Sequence, residues 1–247
     1  MNGERSTVNG KNLSAWLALL SVVGPQAGVA RYTAVQLNCA TYIEEVRTEI
    51  RSKAGSVSRE ERAGRDGVVQ FRATETDSGL EVTAWYDSLS VWREGPEGRI
   101  APDAEGLLGG RWRGTLDRSG RYVGRDVPFI PDEVAEIAEL RGLLADFFPL
   151  LPDSALAPRA RHQWTRNSAA DSTTVMQDSI GVPVRRETEE SGSLEWDPRL
   201  GPVRWERLLT VTARIPPGKP FVRGVVTVVV QRVSVVRTDR NCVTGQR

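Results

Sequence analysis

The sequence predicts an α+β protein that is mainly β: a curved antiparallel sheet, or half-barrel, packed against one amphipathic helix. Three observations carry this. Most of the chain after residue 30 alternates apolar and polar residues at the two-residue period of strands. Turn clusters interrupt that alternation at hairpin spacing. One proline-bracketed segment, residues 132–148, switches to the helical period.

The elements follow in order. Residues 41–50 suit either period through Tyr42, Val46 and Ile50, and their β-branched content favours a strand. Residues 51–67 read as a charged loop. Residues 68–75 and 80–86 flank Thr76-Asp77-Ser78-Gly79, a turn cluster, and predict a hairpin whose second strand runs on to Trp92 before Gly95-Pro96 stops it. A second hairpin joins residues 111–116 to 121–123 through Asp117-Arg118-Ser119-Gly120. In the helical segment Val134, Ile137, Leu140, Leu144 and Phe147 form one stripe, Asp132 caps the start, and Pro149 and Pro152 end it. Strands return at residues 173–178, 184–188, 203–215 and 223–237. The valine run 225–230 suits a central position in the sheet. With one helix among many strands, its stripe has only the sheet to bury against.

Residues 1–30 read as an export signal. Arg5 and Lys11 precede an uncharged apolar run, 15–23, then a Gly24-Pro25 break and the small-residue end Gly28-Val29-Ala30. An uncleaved anchor is the alternative, although Gly24, Pro25 and Gln26 leave a core short of the roughly 30 Å a membrane span needs. The remaining residues, 31–247, form one β-rich globular domain with no clear linker. A periplasmic or secreted location follows. Of 33 basic residues only Lys11, Lys53 and Lys219 are lysine, an arginine skew that points to a GC-rich bacterial genome. Basic and acidic residues nearly cancel, 33 against 32, so no global field draws the chain to nucleic acid.

The two cysteines, Cys39 and Cys242, form a disulfide candidate in an oxidising compartment. Closing a loop of about 200 residues contributes roughly 5 kcal/mol in the chain-entropy model. The bond requires the first and last strands to lie within about 7 Å at those Cα atoms.

Catalytic chemistry finds little purchase. His162 is the single histidine, and no Gly-x-Ser-x-Gly elbow accompanies it. Zinc sites built on clustered His and Cys are excluded by count, and Gly106-Leu107-Leu108-Gly109-Gly110 lacks a phosphate-loop lysine. Adjacent carboxylates such as Glu44-Glu45, Glu60-Glu61 and Glu189-Glu190 point to opposite faces of a strand. No enzyme, cofactor or metal is expected. Trp112 and Trp205 beside arginines fit inward tryptophan and outward arginine on strands better than base stacking.

The hairpins from Val68 onward, the helix exit Phe147-Phe148-Pro149-Leu150-Leu151-Pro152 and the return at His162-Gln163-Trp164 resemble bacterial secreted half-barrel proteins, distantly similar to periplasmic lipoprotein-carrier and lipid-binding families. The resemblance implies an apolar ligand held between sheet and helix. The candidate lining is then Trp85 and Trp92 on the strands, facing Val134, Ile137, Leu144, Phe147 and Phe148. The expected function is an exported binding protein for a lipid or other hydrophobic molecule. The alternative is a non-catalytic accessory subunit of an envelope complex with a protein partner. An open apolar cavity between helix and sheet favours the first, and a filled one the second.

Overall fold

The computed structural model describes residues 29–38, 40–177, 180–215 and 224–238; the side chains of 146 and 169–183 also lie outside the description. Residues 1–28, Cys39 and Cys242, and with them most of the export signal and the disulfide candidate, fall outside the described residues.

Among the described residues, alternation and turn chemistry produce a single antiparallel sheet of ten strands that does not close into a barrel. In chain order these are β1 (Thr41–Ala54), β2 (Val57–Thr76), β3 (Gly79–Gly95), β4 (Gly98–Ile100), β5 (Trp112–Leu116), β6 (Tyr122–Asp126), β7 (Arg161–Gln177), β8 (Ile180–Asp197), β9 (Gly201–Ile215) and β10 (Val225–Arg237). Their spatial order is β6-β5-β3-β2-β1-β10-β9-β8-β7, with β4 beside β3. The sheet is therefore two runs of neighbouring antiparallel strands, joined where the first strand meets the last. At that seam β1 and β10 pair from Tyr42↔Arg237 to Ala54↔Val225, and the Thr238 N–H donates to the Thr41 carbonyl at 2.8 Å. The valine run lies inside the sheet, between β1 and β9.

Residues 51–67 are not a loop. They complete β1, turn at Gly55 with φ 62°, and begin β2. Their charges sit on both faces of a section that no helix covers, and this hides the period. The hairpin turns fall where the turn clusters place them. Asp117 Oδ1 accepts from the N–H groups of Ser119 (2.8 Å) and Arg121 (2.9 Å), the side-chain-to-backbone bonding that makes Asp a turn former.

The single helix expected over 132–148 is two short ones, α2 (Asp132–Ala135) and α3 (Leu143–Phe147). The sheet takes the bonds that a continuous helix would use. Arg65 Nη1 on β2 donates to the Glu139 carbonyl at 3.1 Å, and Trp112 Nε1 on β5 donates to the Leu140 carbonyl at 2.8 Å. The Glu139 carboxylate meanwhile accepts from the N–H groups of Arg141 and Gly142, at 2.8 and 3.1 Å. Helical periodicity in the side chains thus survives across a backbone that is not helical between the two pieces.

A further helix, α1 (Ala34–Leu37), precedes the sheet with a capping box between Thr33 and Gln36. Its approach is part of the core: Tyr32 is fully buried, donates its hydroxyl to the Pro149 carbonyl at 2.9 Å and meets Phe148 and Trp196 edge-on. Val29 bridges Ala155 and Ala30 is buried. No helix among the described residues is long and apolar enough to cross a membrane.

Candidate functional site

The space between helices and sheet is filled by aromatic packing apart from small spaces of about 70 and 130 Å³ at its margins. Phe147 lies at the centre of an aromatic cluster, with ring centroids 4.9 Å from Phe71, 5.4 Å from Phe148, 5.5 Å from Tyr42 and 6.0 Å from Trp205. Val134, Leu144, Phe147 and Phe148 are buried there, and Ile137 packs partly buried at the margin. These five candidates come together as core. Trp85 and Trp92 do not join them, because along β3 the core-facing residues are Val82, Ala84, Tyr86 and, beyond a register shift, Val91. Both tryptophans lie on the other face under arginines. Arg111 stands 4.1 Å and Arg72 5.9 Å over Trp85, and Arg99 stands 4.7 Å and Arg47 5.8 Å over Trp92. Inward tryptophan does hold at Trp112, Trp196 and Trp205, all buried.

One charged group enters the core. Glu44 and Glu45 point to opposite faces as strand geometry requires, and Glu44 is the inward one, 2 % exposed. Its carboxylate accepts from Arg65 Nε at 3.0 Å, Arg65 Nη2 at 2.7 Å and the Tyr86 hydroxyl at 2.7 Å. Burial, then the neighbouring Glu44 charge, pushes the Tyr86 hydroxyl well above its ordinary pKa, so it stays protonated and donating. The triad is fully engaged and lies against the small residual space of about 70 Å³ beneath residues 137–143.

An open volume of about 590 Å³ forms a trough over β1, β10, β9, β8 and β7. Two register rows cross those five strands. One is Arg47, Arg232, Leu208, Ser191 and Thr165; the other is Glu45, Ser234, Glu206, Ser193 and Gln163. Paired residues share a face, and alternation from Glu44, Val46, Val233 and Trp205 puts these rows on the face turned away from the core. Short serines form the floor, and longer side chains from β1, β10 and β7 form the walls. Ion pairs hold those walls: Arg47 to Asp66 at 2.8 Å and to Glu45 at 3.1 Å, and Arg161 to Glu206 at 2.6 Å. Leu208, 39 % exposed, and the arginine stems add apolar surface.

Sequence reasoning missed this trough. Ser191-Gly192-Ser193 falls between the strands expected over 184–188 and 203–215, yet it lies within β8, where the Trp164 ring covers Gly192 from the paired position on β7. The repeated pairing of glycine with an aromatic on the next strand, also seen at Gly64 under Trp92 and Gly67 under Tyr86, was the available signal. His162 is partly exposed, with Nε2 3.1 Å from the Ala157 carbonyl. The described residues contain no group of three or more His, Cys, Asp or Glu side chains placed to hold a metal.

Fold and site together define an open antiparallel-sheet protein with a filled helix-side core and a ligand-sized trough on the opposite face. No protein-family model matches the sequence, and no curated protein does. Among solved structures, the chain is similar to lipovitellin, studied for its lipid–protein interactions, with TM-score 0.47 and 9% identity over 86% of this chain and 26% of that one. It thus spans about a quarter of the lipovitellin chain. MucB in complex with MucA(peri) aligns over 83% of this chain and 96% of its own, at 8% identity and TM-score 0.19. A Pseudomonas aeruginosa MucA/MucB complex aligns over 80% and 94%, at 10% identity and TM-score 0.13.

Proposed function

We propose that this protein is an exported, non-catalytic binding protein of the bacterial envelope, and that its ligand is amphipathic and occupies the trough over β1, β10, β9, β8 and β7. The observation that carries the reading is the contrast between two spaces. The helix–sheet interior is closed by aromatic packing, while the opposite face offers about 590 Å³, within the roughly 300–1,000 Å³ typical of small-molecule sites. Serine hydroxyls and paired charges suit a polar head, and Leu208 with the arginine stems suits an apolar part.

Native mass spectrometry and organic extraction of protein purified from a bacterial envelope fraction test it. An amphipathic adduct is expected on the wild type and absent from Ser191→Trp, which fills the floor of the trough without touching the core. Absence of any adduct, together with no saturable binding of a fluorescent lysophospholipid, would refute the reading. The accessory-subunit alternative draws support from β7, whose outer edge has no partner strand among the described residues and borders the trough. An extended segment of a partner protein could add there as a further strand. Crosslinking in intact envelopes that traps a protein at Gln163, with no lipid recovered, would favour it.

A further inference from the structure

Two arginines stand side by side in the trough. Arg47 on β1 and Arg232 on β10 are direct cross-strand partners on the outward face, and like charges so placed cost stability unless counter-charge is supplied. Arg47 has its counter-charge, from Asp66 at 2.8 Å and Glu45 at 3.1 Å. For Arg232 the nearest carboxylate among the described residues is Glu49, at 4.0 Å, and Glu49 already pairs with Arg51 at 3.1 Å. The trough's other carboxylate, Glu206, is held by Arg161 at 2.6 Å and Arg204 at 2.8 Å. Because the Arg232 side chain is 62 % exposed, solvent balances its charge in the free protein, and a ligand covering the trough takes that solvent away. Ser234 lies two residues along β10 on the same face, and among the described residues its hydroxyl has no protein hydrogen-bond partner. The same holds for Ser191 and Ser193, two strands away on the trough floor. An apolar lane starts beside them. Val230, Val228 and Val226 pair with Glu49, Arg51 and Lys53 of β1, so they lie half-buried on the outward face. Thr210 and Thr212 flank them on β9, and Leu208 sits opposite Arg232 at their head. From Arg232 to Val226 the lane runs about 20 Å at roughly 3.3 Å per residue, room for a single acyl chain.

A cationic head in the trough meets two guanidinium groups, and a neutral one covers Arg232 while leaving its charge uncompensated. A phosphate supplies both the charge and the paired acceptor oxygens that a guanidinium fork takes best. We propose that the trough's ligand is a single-chain anionic phosphate lipid, its phosphate accepting from the Arg232 guanidinium and the Ser234 hydroxyl, its chain lying along Val230, Val228 and Val226. Ser191 and Ser193 are then left to bond the rest of the head. The inference rests on the trough as the binding site, and adds the sign of the head, the residue that holds it and the direction of the chain.

The test is calorimetric titration of the full protein with three lipids that share one myristoyl chain, each kept below its micelle concentration: lysophosphatidylglycerol, lysophosphatidylcholine and monoacylglycerol. Inorganic phosphate is the chain-free control. Lysophosphatidylglycerol is expected to bind about tenfold or more tighter than monoacylglycerol, the scale of one hydrogen bond between charged groups. Lysophosphatidylcholine should fall between them, and inorganic phosphate should show no saturable binding below about 10 mM, a weak-ligand range. Arg232→Gln, at an exposed position that leaves the core intact, should bring lysophosphatidylglycerol down to the level of monoacylglycerol. Arg232→Lys, which keeps the charge but not the fork, should retain part of the preference. Val228→Thr should weaken all three lipids alike. Equal affinity for the three lipids, or a preference unchanged in Arg232→Gln, would overturn the anionic head and leave the amphipathic reading of the trough standing. Inorganic phosphate binding as tightly as lysophosphatidylglycerol would overturn the chain lane, and no saturable binding of any lipid would overturn both this proposal and the reading on which it rests.

Discussion

Glu44→Ala is the substitution the core should tolerate least. The Glu44 carboxylate receives both Arg65 Nε and Nη2 and the Tyr86 hydroxyl, all at 3.0 Å or less, and the side chains of Glu44 and Arg65 are only 2 % and 11 % exposed. Removing the carboxylate leaves a guanidinium and a phenol facing an apolar void, with the Glu139 carbonyl still bonded to Arg65 Nη1. Removing one member of a buried pair destabilises by about 3–5 kcal/mol. At about 2–4 °C per kcal/mol for a chain of this size, Tm should fall by about 6–20 °C. The triple variant Glu44→Leu, Arg65→Leu, Tyr86→Phe removes every polar member, and should recover to within about 2 kcal/mol of wild type because no uncompensated charge remains. Thermal unfolding followed by circular dichroism, with the single and triple variants side by side, measures both. A Glu44→Ala Tm within 2 °C of wild type, or a triple variant as unstable as the single one, would refute the account of Arg65 as a charge stabilised by its partner.

Other outcomes follow from local geometry. Gly192→Ala places a Cβ in conflict with Trp164 Cζ2 and 2.6 Å from the Glu206 carbonyl oxygen, and since a sheet carbonyl cannot swing aside, it should cost about 1–3 kcal/mol. Gly106→Ala, with nothing within 4 Å, is the neutral control in the same Tm measurement. Asp197 governs acid stability. Burial raises its pKa, but the N–H groups of Arg199 (2.8 Å) and Leu200 (3.2 Å) and the Arg159 guanidinium (3.1 Å) outweigh this and hold it below the usual carboxylate value of 3.8. The folded form is therefore the weaker proton binder. Its contribution is complete above the unfolded pKa and is lost as pH falls through the lower folded value. Between pH 6 and pH 2.5, wild-type Tm should drop more steeply than that of Asp197→Asn, and parallel curves would contradict this.

Turn chemistry was legible in the sequence because it is local: Asp117 and Gly120, or Asp77 and Gly79, define their turns within a few residues, and both hairpins form there. The broken helix was not legible. Val134, Ile137, Leu140, Leu144 and Phe147 show a helical stripe, while the interruption depends on Arg65 and Trp112 reaching from strands 74 and 28 residues away along the chain. Tertiary acceptors and donors overrode a local preference. The gap between the strands expected over 184–188 and 203–215 has the same cause. Within that gap, the ring that covers Gly192 belongs to Trp164 on another strand.

Residues 44–47 show why the trough could be seen only with the fold in hand. Alternation sends Glu44 and Val46 into the core and Glu45 and Arg47 to the opposite face, so one short segment supplies both the buried carboxylate and one wall of the trough. The choice of face is not written in those four residues. It is set by Arg65, which faces the core on β2 beside Val46, and by the seam with β10 that places Glu45 against Ser234 and Arg47 against Arg232. A one-residue slip in β1 would bury Glu45 and Arg47 and expose Glu44 and Val46, destroying core and trough together. The buried triad therefore opposes that slip, because only one register gives Glu44 its three donors. In this arrangement an interior polar group, usually a liability to stability, specifies the surface on the other side of the sheet.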